Sequence, residues 1–280
     1  MKIPTRLEPL VEDGLVDEVV LQLMSGKEAV VYVVRCGEEF RCAKVYKEAN
    51  KRSFRQSVDY REGRKVRNSR RSRAMEKGTR YGRKAQEESW QSTEVDALYR
   101  LAAAGVRVPT PFTFHEGVLL MELVTDDEGS PAPRLNDLEF TEEQARAHHH
   151  TLMTQVVRML CAGVVHGDLS GYNVLVGSAG PVLIDLPQAV DAGSNNHAGS
   201  MLERDVANLT TCLGRFAPDL LTTQYGKEIW RLFEQGDLHP DVKLTGRYER
   251  SMAPVDLGSV VREIDDARAA DAARRLRLER

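Results

Sequence analysis

The sequence predicts an α+β protein of two lobes, an antiparallel sheet followed by a mainly helical part. Three observations carry this. Short β-branched runs separated by turn signals fill the segment before residue 47, and a second strand pair ends at TDDEGSPAPRLND, which cannot continue a strand. Helical spacing then dominates, interrupted by one turn-rich stretch, GVVHGDLSGYNVLVGSAGPVLIDL. A chain of 280 residues has room for two coupled lobes, and 41% hydrophobic with 29% charged residues excludes collagen-like, mucin-like and wholly disordered classes.

Taken in order, VVLQLM, AVVYVVRC and FRCAKVY read as three antiparallel strands joined by hairpins at SGKE and GEE. Val95, Leu98, Tyr99, Leu101 and Ala102 follow helical spacing, and Gly105 is placed to end that helix. PFTFHEG and VLLMELV form a further hairpin, after which the lobe boundary is expected, giving an N-lobe over 1–124 and a C-lobe over 125–280. Thr141 with Gln144 makes a capping box for a helix running to Gly163, while Val174–Val176 and Pro181–Ile184 read as a small hairpin. Helices close the chain, the last Arg-rich. His148, His149 and His150 are consecutive on a helix and so point around it instead of converging on a metal; a solvated face is expected there.

Charge is distributed unevenly. The net charge is −3, yet residues 51–84 hold 14 Lys/Arg against Asp59, Glu62 and Glu76, so this block is +11 and the remainder −14. Such a block cannot be core; it reads either as a solvated loop or as a contact for RNA or phosphate. Cys36, Cys42, Cys161 and Cys212 form no CxxC and no His/Cys cluster, which argues against a zinc site or a disulfide framework. No apolar run approaches the roughly 18 residues that span a bilayer, and the amino terminus carries acids where a secretory signal needs an apolar stretch. A soluble, cytoplasmic protein without a membrane partner is expected.

The chemistry lies in HGDLSGYN and the following ID, residues 166–173 and 184–185. Phosphoryl transfer from ATP needs a carboxylate beside the attacking hydroxyl, plus an amide oxygen and a second carboxylate to hold magnesium on the phosphates. Asp168, Asn173 and Asp185 supply these groups at the spacing kinases use. Either motif alone reads as an ordinary turn with a packed His166; both in register, flanked by strands, do not. Upstream, Lys44 in CAKVY suits pairing with the α and β phosphates, and Glu94 at the start of the next helix suits holding its ammonium. The loop Ser25-Gly26-Lys27-Glu28-Ala29 is neither GxGxxG nor a Walker loop and by itself is weak testimony for phosphate binding.

MSGKEAVVY, CAKVYKE, MELV with GSPAPRL, HGDLSGYN, ID-LPQ and LERDVANL together resemble the RIO family of atypical serine/threonine kinases, the first subfamily more than the second, over about residues 18–220. The resemblance implies a bilobal kinase-like fold, magnesium-ATP binding with manganese as an alternative ion, serine autophosphorylation, and a loop where the basic block lies. It implies Asp168 as catalytic base, Asn173 and Asp185 as metal ligands, and Lys44 as the phosphate lysine. It places Ser25 and Lys27 in the phosphate loop, Met121 at the back of the nucleotide pocket, the backbone of Glu122 and Val124 against adenine, and Arg204 and Asp205 beneath the site. An ATPase cycle with Asp185 as phosphoryl acceptor is a further implication. Gly167 stands where ordinary kinases carry the arginine of HRD, Leu186-Pro187 replace Phe-Gly, and only 19 residues separate Asp185 from Asp205, too few for a long activation segment. Two other readings stay open: a small-molecule kinase of the aminoglycoside phosphotransferase kind, which also uses HGD-x4-N, and an RNA-binding assembly factor switched by nucleotide. The protein substrate, and whether a ribosomal particle is the partner, are not legible in the sequence.

Overall fold

The structure, a computed structural model, describes residues 3–26, 28–47 and 93–248. The basic block 51–84, Lys27 and the Arg-rich stretch at the carboxyl end lie outside the described residues. Residues up to Arg247 make one unit; a second, Tyr248–Arg280, falls outside the description apart from Tyr248.

Strands β1 (Glu18–Ser25), β2 (Ala29–Cys36), β3 (Glu39–Tyr46), β4 (Pro111–His115) and β5 (Val118–Glu122) build one antiparallel sheet in the order β1-β2-β3-β5-β4. Alternation sorts its faces: Tyr32, Val34, Ala43, Val45, Val118 and Leu120 pack under a short helix, α1 (Glu8–Glu12), against Leu7 and Leu10. The register sets Lys44 opposite Val31 on one side and Leu119 on the other, and Cys42 opposite Met121.

Helix α2, residues 93–103, follows the expected spacing, with Val95, Leu98 and Leu101 buried and Gly105 at φ +72° after its end. Tyr99 departs from the expectation. It is 41% exposed, because the buried stripe of this helix runs through 94, 95, 97, 98 and 101 and leaves position 99 beside it.

Helix α3 (Glu142–Cys161) starts at the full capping box of Thr141 and Gln144. Behind it come the two-residue strands β6 (Val164–Val165) and β9 (Val190–Asp191), which pair, and the hairpin of β7 (Val174–Gly177) with β8 (Gly180–Leu183). Helices α4 (Ala198–Gly214) and α5 (Tyr225–Gln235) complete the part beyond the sheet. One core joins Leu98, Leu101 and Leu119 to Leu152, Val156, Leu160, Leu183, Leu202 and Leu209, so sheet and helices share buried apolar surface. Among the described residues no helix is long and apolar enough to cross a membrane.

The expectation of a solvated histidine face on α3 fails for one of the three. His150 is exposed, but His149 is buried and its Nε2 lies 2.9 Å from Thr210 Oγ1 of α4, while His148 packs edge-on against Phe140. Position 149 falls in the seam between two helices, a partner that helical spacing within α3 does not reveal.

Candidate active site

Three elements distant in sequence meet at Lys44. Its Nζ donates to Glu94 Oε1 of α2 at 2.5 Å and to Asp185 Oδ1 beyond β8 at 3.1 Å. The far oxygen of Glu94 accepts from the Tyr46 hydroxyl at 2.6 Å, so a carboxylate that is 5% exposed has both oxygens engaged, as burial of a charge requires. Burial alone would lower the Lys44 pKa, but Glu94 and then Asp185 reverse this and hold it well above the usual lysine value. Tyr46 is raised by burial and then by Glu94. Tyr46 carries no site signal in the sequence, where it reads only as a strand aromatic.

The loop after β6 is pinned from below. The Asp205 carboxylate on α4 accepts the Gly167 N–H at 2.7 Å and the Leu169 N–H at 3.0 Å, and Arg204 donates to the Gly167 carbonyl. Asn208, one turn on, donates to the Leu169 carbonyl at 3.0 Å. His166 is fully buried, its Nε2 3.1 Å from the Ile184 carbonyl and its Nδ1 accepting from the Asp168 N–H. This histidine is thus both a packed core residue and the tie between the Asp168 loop and the Asp185 strand. Held at its backbone on both sides, Asp168 keeps an exposed carboxylate. Burial by neighbouring atoms raises its pKa; His166 opposes and Asp185 adds to the rise.

Asn173 and Asp185 are brought together by the β7–β8 hairpin, whose register pairs Val174 with Leu183, and by the Ile184 N–H donating to the Asn173 carbonyl at 3.0 Å. The Asn173 amide nitrogen donates to the Asp168 carbonyl at 2.8 Å, which leaves its amide oxygen as the atom for a cation. Asp185 sits at φ +68°, a left-handed turn that Asp tolerates better than most residues and that turns its carboxylate toward Lys44. Surrounding protein would raise its pKa, but Lys44 outweighs this and holds it below the ordinary aspartate value. An amide oxygen and an ionised carboxylate are the hard donors that magnesium accepts, usually from one or two carboxylates plus substrate phosphates. The donor set fits that ion.

Met121 is half-buried at the end of β5. Glu122 spends its side chain on Arg107 and Thr110 and its N–H on the Thr110 carbonyl, and the Val124 carbonyl accepts from Ala132. Ser25 ends β1 with its Oγ 3.2 Å from Lys47 Nζ, which also donates to the Gly26 carbonyl at 2.5 Å. Lys47 and Arg107 were not legible as site residues, since a lysine after a strand and an arginine in a loop carry no spacing signal.

A model of the RIO domain matches residues 30–225. The chain is 34% identical over 213 residues to the RIO-type serine/threonine-protein kinase Rio1 of Haloferax volcanii, covering 75% of this chain and 68% of that protein. It is 29% identical over 218 residues to the serine/threonine-protein kinase rio1 of Schizosaccharomyces pombe, covering 74% of this chain but only 40% of the yeast protein. In fold it is similar to the Rio2 kinase of Chaetomium thermophilum, solved as an ADP/Mg2+-phosphoaspartate complex, with TM-score 0.53 and 19% identity over 75% of this chain and 59% of that one. With the domain model covering well over half its length, and the sheet, the Lys44 ion pairs and the HGD loop in place, the chain belongs to the RIO kinase family and is Rio1-like within it.

Proposed function

We propose that this chain is a magnesium-ATP-dependent serine protein kinase of the RIO type, able to hydrolyse ATP by way of Asp185. The observation that carries this is the chain of contacts Glu94–Lys44–Asp185, which sets an ammonium beside the carboxylate that would carry the metal. Bound there, magnesium would neutralise charge on the β and γ phosphates. Lys44 would hold the α and β phosphates, Asn173 and Asp185 the ion, and the backbone of Glu122 and Val124 the adenine, with Met121 behind it and Ser25 and Lys27 over the phosphates. Asp168 would accept the proton of the attacking serine hydroxyl as the new P–O bond forms and the bond to the β,γ-bridging oxygen breaks, releasing ADP. In the ATPase cycle a carboxylate oxygen of Asp185 would be the acceptor, and water would then free the phosphate. The phosphoaspartate of the Rio2 complex belongs to that protein; here the acceptor rests on Asp185 being ionised and next to Lys44.

The division at residue 124 into two lobes, the cytoplasmic location and a polyanionic partner, RNA or a ribosomal particle, belong to the same reading. The last is supported by the +11 charge of residues 51–84. The deciding experiment incubates the purified chain with magnesium and γ-labelled ATP and follows the label. Label on serine, on Asp185 or in free phosphate supports the reading and divides kinase from ATPase. Label on none of these, with ATP unbound, removes it.

A further inference from the structure

Resting on that nucleotide reading, we infer that Arg134 is a phosphate-binding residue of the nucleotide cleft, the guanidinium that grips the polyphosphate tail opposite Lys44. Its backbone is fixed to the metal-side hairpin: Arg134 bridges Leu175 of β7, and the preceding carbonyl, of Pro133, accepts the Val176 N–H at 2.9 Å. Leu175 lies two residues beyond Asn173, and β7 pairs with the strand that leads to Asp185. From that anchor the side chain reaches the other wall, where its Nη2 lies 3.1 Å from the Met24 sulfur, next to Ser25 of the phosphate loop. Arg134 therefore spans the gap between the loop expected over the phosphates and the hairpin expected under them, and its positive charge is felt at Asp185.

The chemistry of its partner sets it apart. Lys44 is neutralised by two carboxylates, and Lys47 is engaged by a carbonyl and a hydroxyl. Among the described residues, Arg134 directs a fork of five N–H donors at a thioether, one of the weakest acceptors a protein offers, and is half-buried. A guanidinium in that position binds a phosphate far better than sulfur, because two parallel charge-assisted N–H···O bonds replace one weak contact. Met24, unbranched and exposed, can yield its place at little cost.

The test compares Arg134→Gln and Arg134→Lys with the parent for equilibrium binding of ATP, ADP and adenosine, with melting temperature as a check on folding. Arg134→Gln should weaken ATP and ADP by roughly ten- to a hundredfold and leave adenosine within about twofold. Arg134→Lys, which keeps the charge and loses the fork, should fall between, and it serves as the decisive variant if the glutamine does not fold. Equal losses for adenosine and ATP would make Arg134 a mere wall of the cleft, and unchanged ATP affinity in both variants would overturn the inference. If the parent itself binds neither ATP nor adenosine, the nucleotide reading fails first, an outcome distinct from the other two.

Discussion

Arg107 holds Glu122 with two hydrogen bonds, 2.7 Å from Nη1 and 2.5 Å from Nη2, one to each carboxylate oxygen. The backbone of Arg107 meanwhile accepts the Leu183 N–H at 2.9 Å and donates to the Gln155 side chain at 2.8 Å. A single residue thus ties β5 to β8 and to α3. The Arg107 bonds hold the Glu122 pKa below the usual value, against burial. Arg107→Ala should cost about 1–2 kcal/mol of stability, a charge-assisted pair discounted for its partial exposure, and should raise KM for ATP more than it lowers kcat. Arg107→Lys should recover only part of this, since an ammonium cannot reproduce the fork. Denaturant unfolding and steady-state kinetics check both; an unchanged KM would confine Arg107 to stability.

Lys44 loses its role differently according to which end of the contact is cut. Lys44→Met removes the preorganised donor and should lower turnover by about 10² to 10³. Glu94→Gln keeps the lysine and its bond to Asp185 but frees the ammonium from its buried anchor, and should lower turnover by a smaller factor. Single-turnover measurements with labelled ATP rank the two. Turnover unchanged in Lys44→Met would remove this residue from the site.

Asp168→Asn should slow transfer to serine by about 10² to 10⁴ with ATP affinity little changed, whereas Asp185→Asn should abolish magnesium-dependent turnover with the fold intact. Because burial, and then Asp185, raise the Asp168 pKa despite His166, the acid limb of the transfer rate should lie above the ordinary aspartate value. A pH–rate profile locates that limb; one at or below the ordinary value would exclude Asp168 as the titrating base.

Gly177, the last residue of β7, lies directly beneath the segment after Glu122. A Cβ there would come within 2.9 Å of Val124 Cγ1 and 3.1 Å of the Thr125 carbonyl, so Gly177→Ala should push the backbone proposed to hold adenine outward, cost roughly 1–3 kcal/mol and raise KM for ATP. Gly180→Ala is the control. Its Cβ would meet nothing, but its φ of +104° strains any side chain, so it should lower the melting temperature and leave KM alone.

Two buried titrating groups should oppose each other in acid. Burial lowers the His149 pKa from 6.5 to about 4, so the unfolded chain binds more protons between these values and stability is lost as pH falls through that window. Burial raises the Asp205 pKa from 3.8 to about 6, against His166 and the N–H groups of Leu169 and Gly167. There the folded chain binds more protons, and stability is lost as pH rises through the window. Each is worth on the order of 3 kcal/mol, and together they nearly cancel between pH 4 and 6. Relative to the parent, the unfolding free energy across that range should fall more steeply with rising pH in His149→Gln and rise more steeply with it in Asp205→Asn. Identical slopes in all three proteins would contradict the assignment.

The five strands of the sheet, the β7–β8 hairpin, the capping box at Thr141, the order Lys44, Glu94, Asp168, Asn173, Asp185 and the RIO resemblance were legible in the sequence, because each rests on local periodicity or on short motifs whose order along the chain can be read directly. Spacing says nothing of what crosses between elements. Only the fold decided that Glu94, expected to hold Lys44, also takes the Tyr46 hydroxyl, that His166 is at once core and a link to Ile184, and that His149 lies in the α3–α4 seam instead of facing water. Arg107, Lys47 and Arg134 acquired a place only when hydrogen bonds over 15, 21 and 110 residues of sequence could be seen. A long flexible cation leaves no periodic trace, since its reach is set by the partner that folding brings to it.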